Sequence, residues 1–201
     1  MSDYVLASME LWRNMNRGPE RILDEYLVCL SQGGSQPAFE QLARRWTPKL
    51  LRYSSRQLGS QDAAKDIVQE VWAAAIGGLR RLQDPALFPS WIYRITTHKC
   101  ADAVRASERQ RRYGIRAEAA FGIDRDAVNP GLPLEVGLDL AASAQGLPEE
   151  QRIVVYLFYG EDLGIEEIAA VLDVPAGTVK SRLHHARQFL KTRMGVEYER
   201  A

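Results

Sequence analysis

The chain has 201 residues, 46% of them hydrophobic and 26% charged, and its 26 basic residues balance its 26 acidic ones. A chain of this length makes about one or two domains, and no stretch approaches the roughly 20 apolar residues that span a bilayer, so membrane insertion is excluded. The start of the chain lacks the pattern of a secretory signal, which favours a cytoplasmic protein. Two cysteines, Cys29 and Cys100, cannot form a disulfide framework, and we expect both to be small buried apolar residues.

The first segment, residues 1–22, is an N-terminal extension whose role the sequence leaves open. Three alternatives are open for this segment. It is an added helix that carries Leu6, Met9 and Trp12, or it is disordered, or it results from translation at an upstream start codon. The Gly18–Pro19 dipeptide separates it from a first domain over residues 23–112.

Helical periodicity dominates the first domain, and no convincing strand pattern appears, so the predicted fold class is all-α. The clearest helix has an apolar stripe with helical spacing, which we expect to be buried: Ile67, Val68, Val71, Trp72, Ala75, Ile76 and Leu79. Its opposite face is polar, with Asp62, Asp66, Gln69 and Glu70. Without further evidence, exposure to solvent explains such a polar face as well as a binding function does.

Charge alternates along the rest of the chain. The stretch Trp91–Arg112 has a net charge of +4, Tyr113–Glu150 has −5, and Val174–Met194 has +5. The acidic segment 113–146 contains Asn-Pro-Gly and several further glycines, which predicts a flexible linker. The sequence therefore predicts two small helical domains joined by this linker, and each domain has a basic surface suited to binding phosphate.

The second domain, residues 147–194, should open with Pro148 in the first turn of a helix. Its Ile165–Leu190 stretch has the spacing of a helix-turn-helix, in which the second helix carries the basic residues. The outward residues of that helix are Thr178, Lys180, Ser181, Arg182, His184, His185 and Arg187. A helical hairpin with a solvated basic face is the alternative. The adjacent histidines point about 100° apart, so we expect no metal site there.

This second domain resembles region four of the extracytoplasmic-function (ECF) sigma factors. The resemblance lies in the segments LPEEQR (residues 147–152), EEIAAVL (166–172) and PAGTVKSRLHHAR (175–187). Gly164 stands where the family often has Ser or Thr as a helix cap, and Asp173 stands where Gly is usual. Gly is a tolerable N-cap, and Asp adopts the left-handed conformation more readily than most residues.

The first domain resembles region two of the same family through DIVQEVW (residues 66–72) and FPSWIYRI (88–95). The resemblance implies that Asp66, Gln69 and Glu70 dock on the clamp helices of RNA polymerase. It also implies that a loop at about Leu82–Phe88 reads unpaired minus-ten bases. The residues predicted to bind minus-ten DNA are Leu82, His98, Lys99, Arg105 and Arg109. Trp91 and Ile92 are expected in the core, whereas His98 is either near the captured base or a partly buried structural residue.

The resemblance therefore implies a sigma factor whose partners are core RNA polymerase and promoter DNA. It implies that the protein binds the promoter both as duplex and as the unpaired non-template strand. Family members are usually silenced by an anti-sigma factor, which we expect here too. A stand-alone transcription regulator is the alternative, but it needs a dimer interface, and no heptad seam is visible. A protein adaptor would leave both motifs unexplained. No catalytic constellation or cofactor motif appears, so an enzyme is not expected.

Overall fold

The computed structural model describes residues 18–112 and 146–193, which belong to two compact units, residues 1–127 and 128–201. Every regular element in these described ranges is helical, which confirms the all-α fold class. None of the described helices is long and apolar enough to cross a membrane. The predicted linker lies almost wholly outside the described residues, as does most of the N-terminal extension.

The first unit contains helices α1 (Pro19–Gln32), α2 (Gln36–Leu58), α3 (Gln61–Gly78) and α4 (Phe88–Arg112). Two short 3-10 turns, Leu79–Arg81 and Pro85–Leu87, connect α3 to α4. α1 thus begins within the segment that the sequence assigned to the extension.

Local sequence explains where these helices start and stop. The Ser35 hydroxyl accepts a hydrogen bond from the Ala38 amide, and the Ser60 hydroxyl accepts one from the Ala63 amide, which caps α2 and α3. Between them, Gly59 ends α2 in the left-handed conformation with φ 65°.

The core of the first unit is an aromatic cluster between α2 and α4. Trp46 packs edge-on against Phe88 and Tyr93, with ring centroids 5.2 and 5.8 Å apart, and Tyr93 also meets Tyr53 at 5.2 Å. Ile92 is fully buried beside them, as predicted, and Trp91 is half-buried. The cluster fixes α4, the helix that carries the basic residues, against the rest of the unit.

Two expectations about buried residues are wrong. Ile76 is 66% exposed, because it lies about 100° around α3 from the buried Ala75, beyond the stripe that meets α2 and α4. Cys29 is also exposed, since α1 turns it away from the buried Leu27 and Val28. Cys100 is buried as expected, and burial raises the pKa of its thiol to about 11.

The second unit contains α5 (Glu149–Val155), a π-helical turn (Tyr156–Gly160), α6 (Ile165–Leu172) and α7 (Ala176–Arg193). Pro148 is the residue that precedes α5 and not part of its first turn, a shift of one position from the prediction. Helix α7 crosses the other two through a fully buried stripe: Val179, Leu183 and Ala186.

Both unusual cap residues of α6 behave as the sequence predicted. Gly164 is the N-cap, and its amide donates to the Glu167 carboxylate at 2.7 Å. Asp173 ends the helix in the left-handed conformation with φ 54°. Val174 then donates its amide to the Ala169 carbonyl at 3.1 Å, which closes the turn before α7.

Candidate nucleic-acid interfaces

The outer face of α7 is polar and cationic. Lys180, Ser181, His184 and His185 are exposed on it, whereas Thr178 is half-buried near its start. The helix itself contains no acidic residue. A helix of this kind presents donors to base edges and phosphates without repelling the backbone.

Arg182 and Arg187 lie at the two edges of this face and are both held within the unit. The Arg182 guanidinium is ion-paired with the Glu150 carboxylate. Arg187 donates from Nε to the Tyr159 hydroxyl at 2.8 Å, and its guanidinium lies 5.6 Å from the Phe158 ring centroid. Both arginines therefore carry tertiary contacts, which the sequence prediction of a fully outward face had missed.

The two histidines of α7 have ring centroids 5.9 Å apart. Among residues 18–112 and 146–193, no group of three or more His, Cys, Asp or Glu side chains is placed to hold a metal ion.

The connection between α3 and α4 is held at both ends. The Gln32 side-chain amide donates to the carbonyls of Leu79 and Leu82 at 3.0 and 2.7 Å. Further along, the Asp84 carboxylate accepts from the Ala86 amide at 2.9 Å. Leu82 is half-buried at the start of this loop. The segment expected to read minus-ten bases is thus a defined turn joined to α1.

On α4, the candidate residues differ in how they are engaged. His98 and Arg109 are exposed, so the alternative of a partly buried structural His98 does not apply. Lys99 donates to Glu70 at 2.8 Å, and this contact raises the pKa of the lysine. Arg105 pairs with Asp102 at 2.7 Å, which lowers the pKa of that carboxyl. Lys99 therefore connects the predicted DNA surface on α4 to the predicted polymerase surface on α3.

The predicted polymerase surface is the exposed face of α3. Asp66, Gln69 and Glu70 all lie on it, together with the exposed Ala73. Ile76 lies about two turns after Gln69 on the same face, and its side chain is 66% exposed. We define these five residues as the α3 face. Its apolar end was missed because periodicity alone assigned Ile76 to the core.

Comparison with known families matches both units. A model described as Sigma-70 region 2 matches residues 42–110, and one described as Sigma-70, region 4 matches residues 138–190. The two matches lie in the chain in that order and include α3 and most of α4 and α7.

Named relatives are similar over most of the chain. The ECF RNA polymerase sigma factor SigW of Bacillus subtilis is 30% identical, over 80% of this chain and 91% of the relative. The ECF RNA polymerase sigma-E factor of Escherichia coli strain K12 is 31% identical, over 87% and 96%. SigE of Mycolicibacterium smegmatis is 35% identical, over 78% of this chain but only 62% of the relative.

Solved structures show the same fold. CnrH, solved in complex with the cytosolic domain of CnrY, has a TM-score of 0.55 at 25% identity, covering 87% of this chain and 99% of CnrH. The sigma factor RpoE of Bartonella quintana, solved with the anti-sigma factor NepR, has a TM-score of 0.58 at 22% identity, covering 79% and 98%.

Proposed function

Because the chain belongs to the ECF RNA polymerase sigma factors, we propose that it directs core polymerase to a specific set of promoters and contributes recognition rather than catalysis. It acts in the cytoplasm, where polymerase and promoter DNA are found. One observation carries the proposal: a single chain presents both an acidic and apolar face on α3 and a basic face on α7. A stand-alone regulator would need only the second.

The α3 face is proposed to dock on polymerase. Asp66 and Glu70 supply charge, Gln69 supplies hydrogen bonds, and Ile76 supplies an apolar anchor. Binding energy at protein interfaces concentrates in a few buried anchors surrounded by polar groups, and an exposed isoleucine at one end of a face that carries carboxylates fits that arrangement. The ionic groups steer the encounter, while burial of the isoleucine slows dissociation.

Two separate surfaces are proposed to bind the promoter. On α7, Thr178, Lys180, Ser181, His184 and His185 enter the major groove of the minus-thirty-five element, with Arg182 and Arg187 at its edges. In the first unit, the loop from Leu82 and α4 capture unpaired minus-ten bases. The α4 contribution comes from His98, Lys99, Arg105 and Arg109. Tethering raises the effective concentration of the second contact, so neither surface needs high affinity.

An anti-sigma factor is the proposed regulator, and its support is the relative CnrH, which was solved bound to the cytosolic domain of another protein. Such a partner would silence the chain by covering the surfaces used for polymerase or DNA.

Run-off transcription tests the proposal. Purified core polymerase is incubated with pooled promoter fragments, with and without the protein. We expect new transcripts whose upstream sequences share a two-part motif, and Lys180→Ala should reduce them without weakening the binding of core polymerase. If no transcript depends on the protein, but it shifts duplex DNA by itself, the stand-alone regulator is the correct function.

Polymerase docking is tested separately by a charge placed at the apolar end of the α3 face. Ile76→Lys should weaken co-purification with core polymerase by at least about tenfold, as expected when an interface anchor is lost. Ile22→Lys on α1 is the matched control, because Ile22 is similarly exposed, at 59%. Equal binding of the two variants to core polymerase would show that Ile76 is not part of the interface.

A further inference from the structure

The contact between Glu150 and Arg182 links the start of α5 to the recognition helix α7. The two residues are 32 positions apart in the sequence, so folding of the unit brings them together. The Arg182 side chain is 21% exposed and that of Glu150 is 71% exposed. Pairs this open to solvent contribute little to folding stability, so stability does not account for a carboxylate at this place.

A carboxylate has two opposite effects on an arginine that meets DNA. It neutralises the charge, so the pair has little attraction for phosphate. It also holds the guanidinium in one orientation while leaving other N–H donors of the fork free. A base edge is uncharged and offers hydrogen-bond acceptors in the major groove. The ion-paired arginine is therefore suited to hydrogen bonding with a base edge and poorly suited to binding the phosphate backbone of DNA.

Two lysines of α7 have a different character from Arg182. Lys180 and Lys191 are exposed, and no ion pair is seen for either within the described part of the chain. They are suited to phosphate, which attracts any DNA regardless of sequence. The face thus combines freely charged residues with one arginine whose charge is cancelled.

We infer that Glu150 determines promoter specificity: it positions Arg182 for base reading and suppresses the binding of that arginine to phosphate. The inference rests on the proposed function, since it requires α7 to read duplex DNA. Glu150 is a positioning residue and does not itself contact the DNA.

The test uses the full chain bound to core polymerase. A promoter fragment identified by run-off transcription competes with the same fragment carrying a scrambled upstream element, over a series of salt concentrations. Glu150→Gln should lower the preference for the intact promoter by roughly two- to fivefold, the range of one exposed ion pair. The loss should arise from tighter binding to the scrambled fragment. The slope of the logarithm of the binding constant against the logarithm of the salt concentration should become steeper, by at most about 0.9.

Glu149→Gln is the matched control, because it removes the same charge from the neighbouring exposed residue of α5. In an Arg182→Ala background, Glu150→Gln should change the preference no further. Circular dichroism melting of each variant reports whether the fold is intact.

The outcomes separate the two claims. Promoter-specific transcripts with the wild-type chain, together with equal preferences for Glu150→Gln and Glu149→Gln, would overturn the role of Glu150 and leave the sigma-factor function standing. A wild-type chain that starts no specific transcript would overturn both.

Discussion

The two adjacent glycines at the end of α3 predict opposite responses to the same substitution. A Cβ at Gly77 would meet nothing within 4 Å, whereas a Cβ at Gly78 would lie 2.9 Å from the Trp91 ring. Replacing glycine by alanine inside a helix stabilises it by about 0.5–1 kcal/mol, and less at its end. We therefore expect Gly77→Ala to raise the free energy of unfolding slightly.

Gly78→Ala gains the same helix propensity but forces the ring away. Trp91 is half-buried, and Phe88 lies against it with ring centroids 6.0 Å apart, so the ring has little room to move. Overpacking of this kind costs about 1–3 kcal/mol. Because the propensity gain is common to both variants, their difference isolates the cost of the clash.

Thermal unfolding of the full chain, followed by circular dichroism, measures that difference. For a domain of roughly 60–100 residues, 1 kcal/mol shifts Tm by about 4–8 °C. We expect Gly78→Ala to melt at least about 4 °C below Gly77→Ala. Equal melting temperatures would show that Trp91 yields freely and that the close approach of α3 to α4 imposes no constraint.

Three further predictions concern single side chains. Ellman's reagent at pH 8 should label Cys29 quickly and Cys100 only on unfolding, because the buried thiol, with its pKa raised to about 11, stays protonated; two fast thiols would contradict the packing of α4. Arg45→Ala should lower the free energy of unfolding, measured by urea denaturation, by about 3 kcal/mol. The reason is that the Asp24 carboxylate, which is only 6% exposed, loses the guanidinium that lies 2.8 Å from it. A loss below about 1 kcal/mol would contradict this. Asp173→Gly should stabilise the second unit by up to about 1 kcal/mol, since its φ is 54°; a lower melting temperature would oppose that reasoning.

Much of the fold follows from the sequence because its signals are local. Helix periodicity, the cap at Gly164 and the left-handed residue at Asp173 depend on neighbours within a few positions, and the structure confirms all three. Ile76 shows the limit of periodicity. The spacing of apolar residues defines a stripe, but the width that is buried depends on which helices pack against it.

The candidate sites show a second limit. The exposed positions of α7 could be assigned from helical geometry, whereas the partners of Arg182 and Arg187 lie 32 and 28 positions earlier. Contacts at that distance in sequence exist only after α7 has packed against α5 and the π-helical turn that follows it. Reasoning from a single helix therefore predicted which side chains of α7 are exposed, but it described the two arginines at the edges as freer than they are.

The double hydrogen bond from Gln32 has a kinetic consequence for the loop that begins at Leu82. One side chain fixes two carbonyls of this connection before any DNA is present. If the loop receives an unpaired base, little backbone conformational entropy remains to be lost on binding. The capture rate is then set by how often the promoter exposes that base, and not by the time the protein needs to order itself around it.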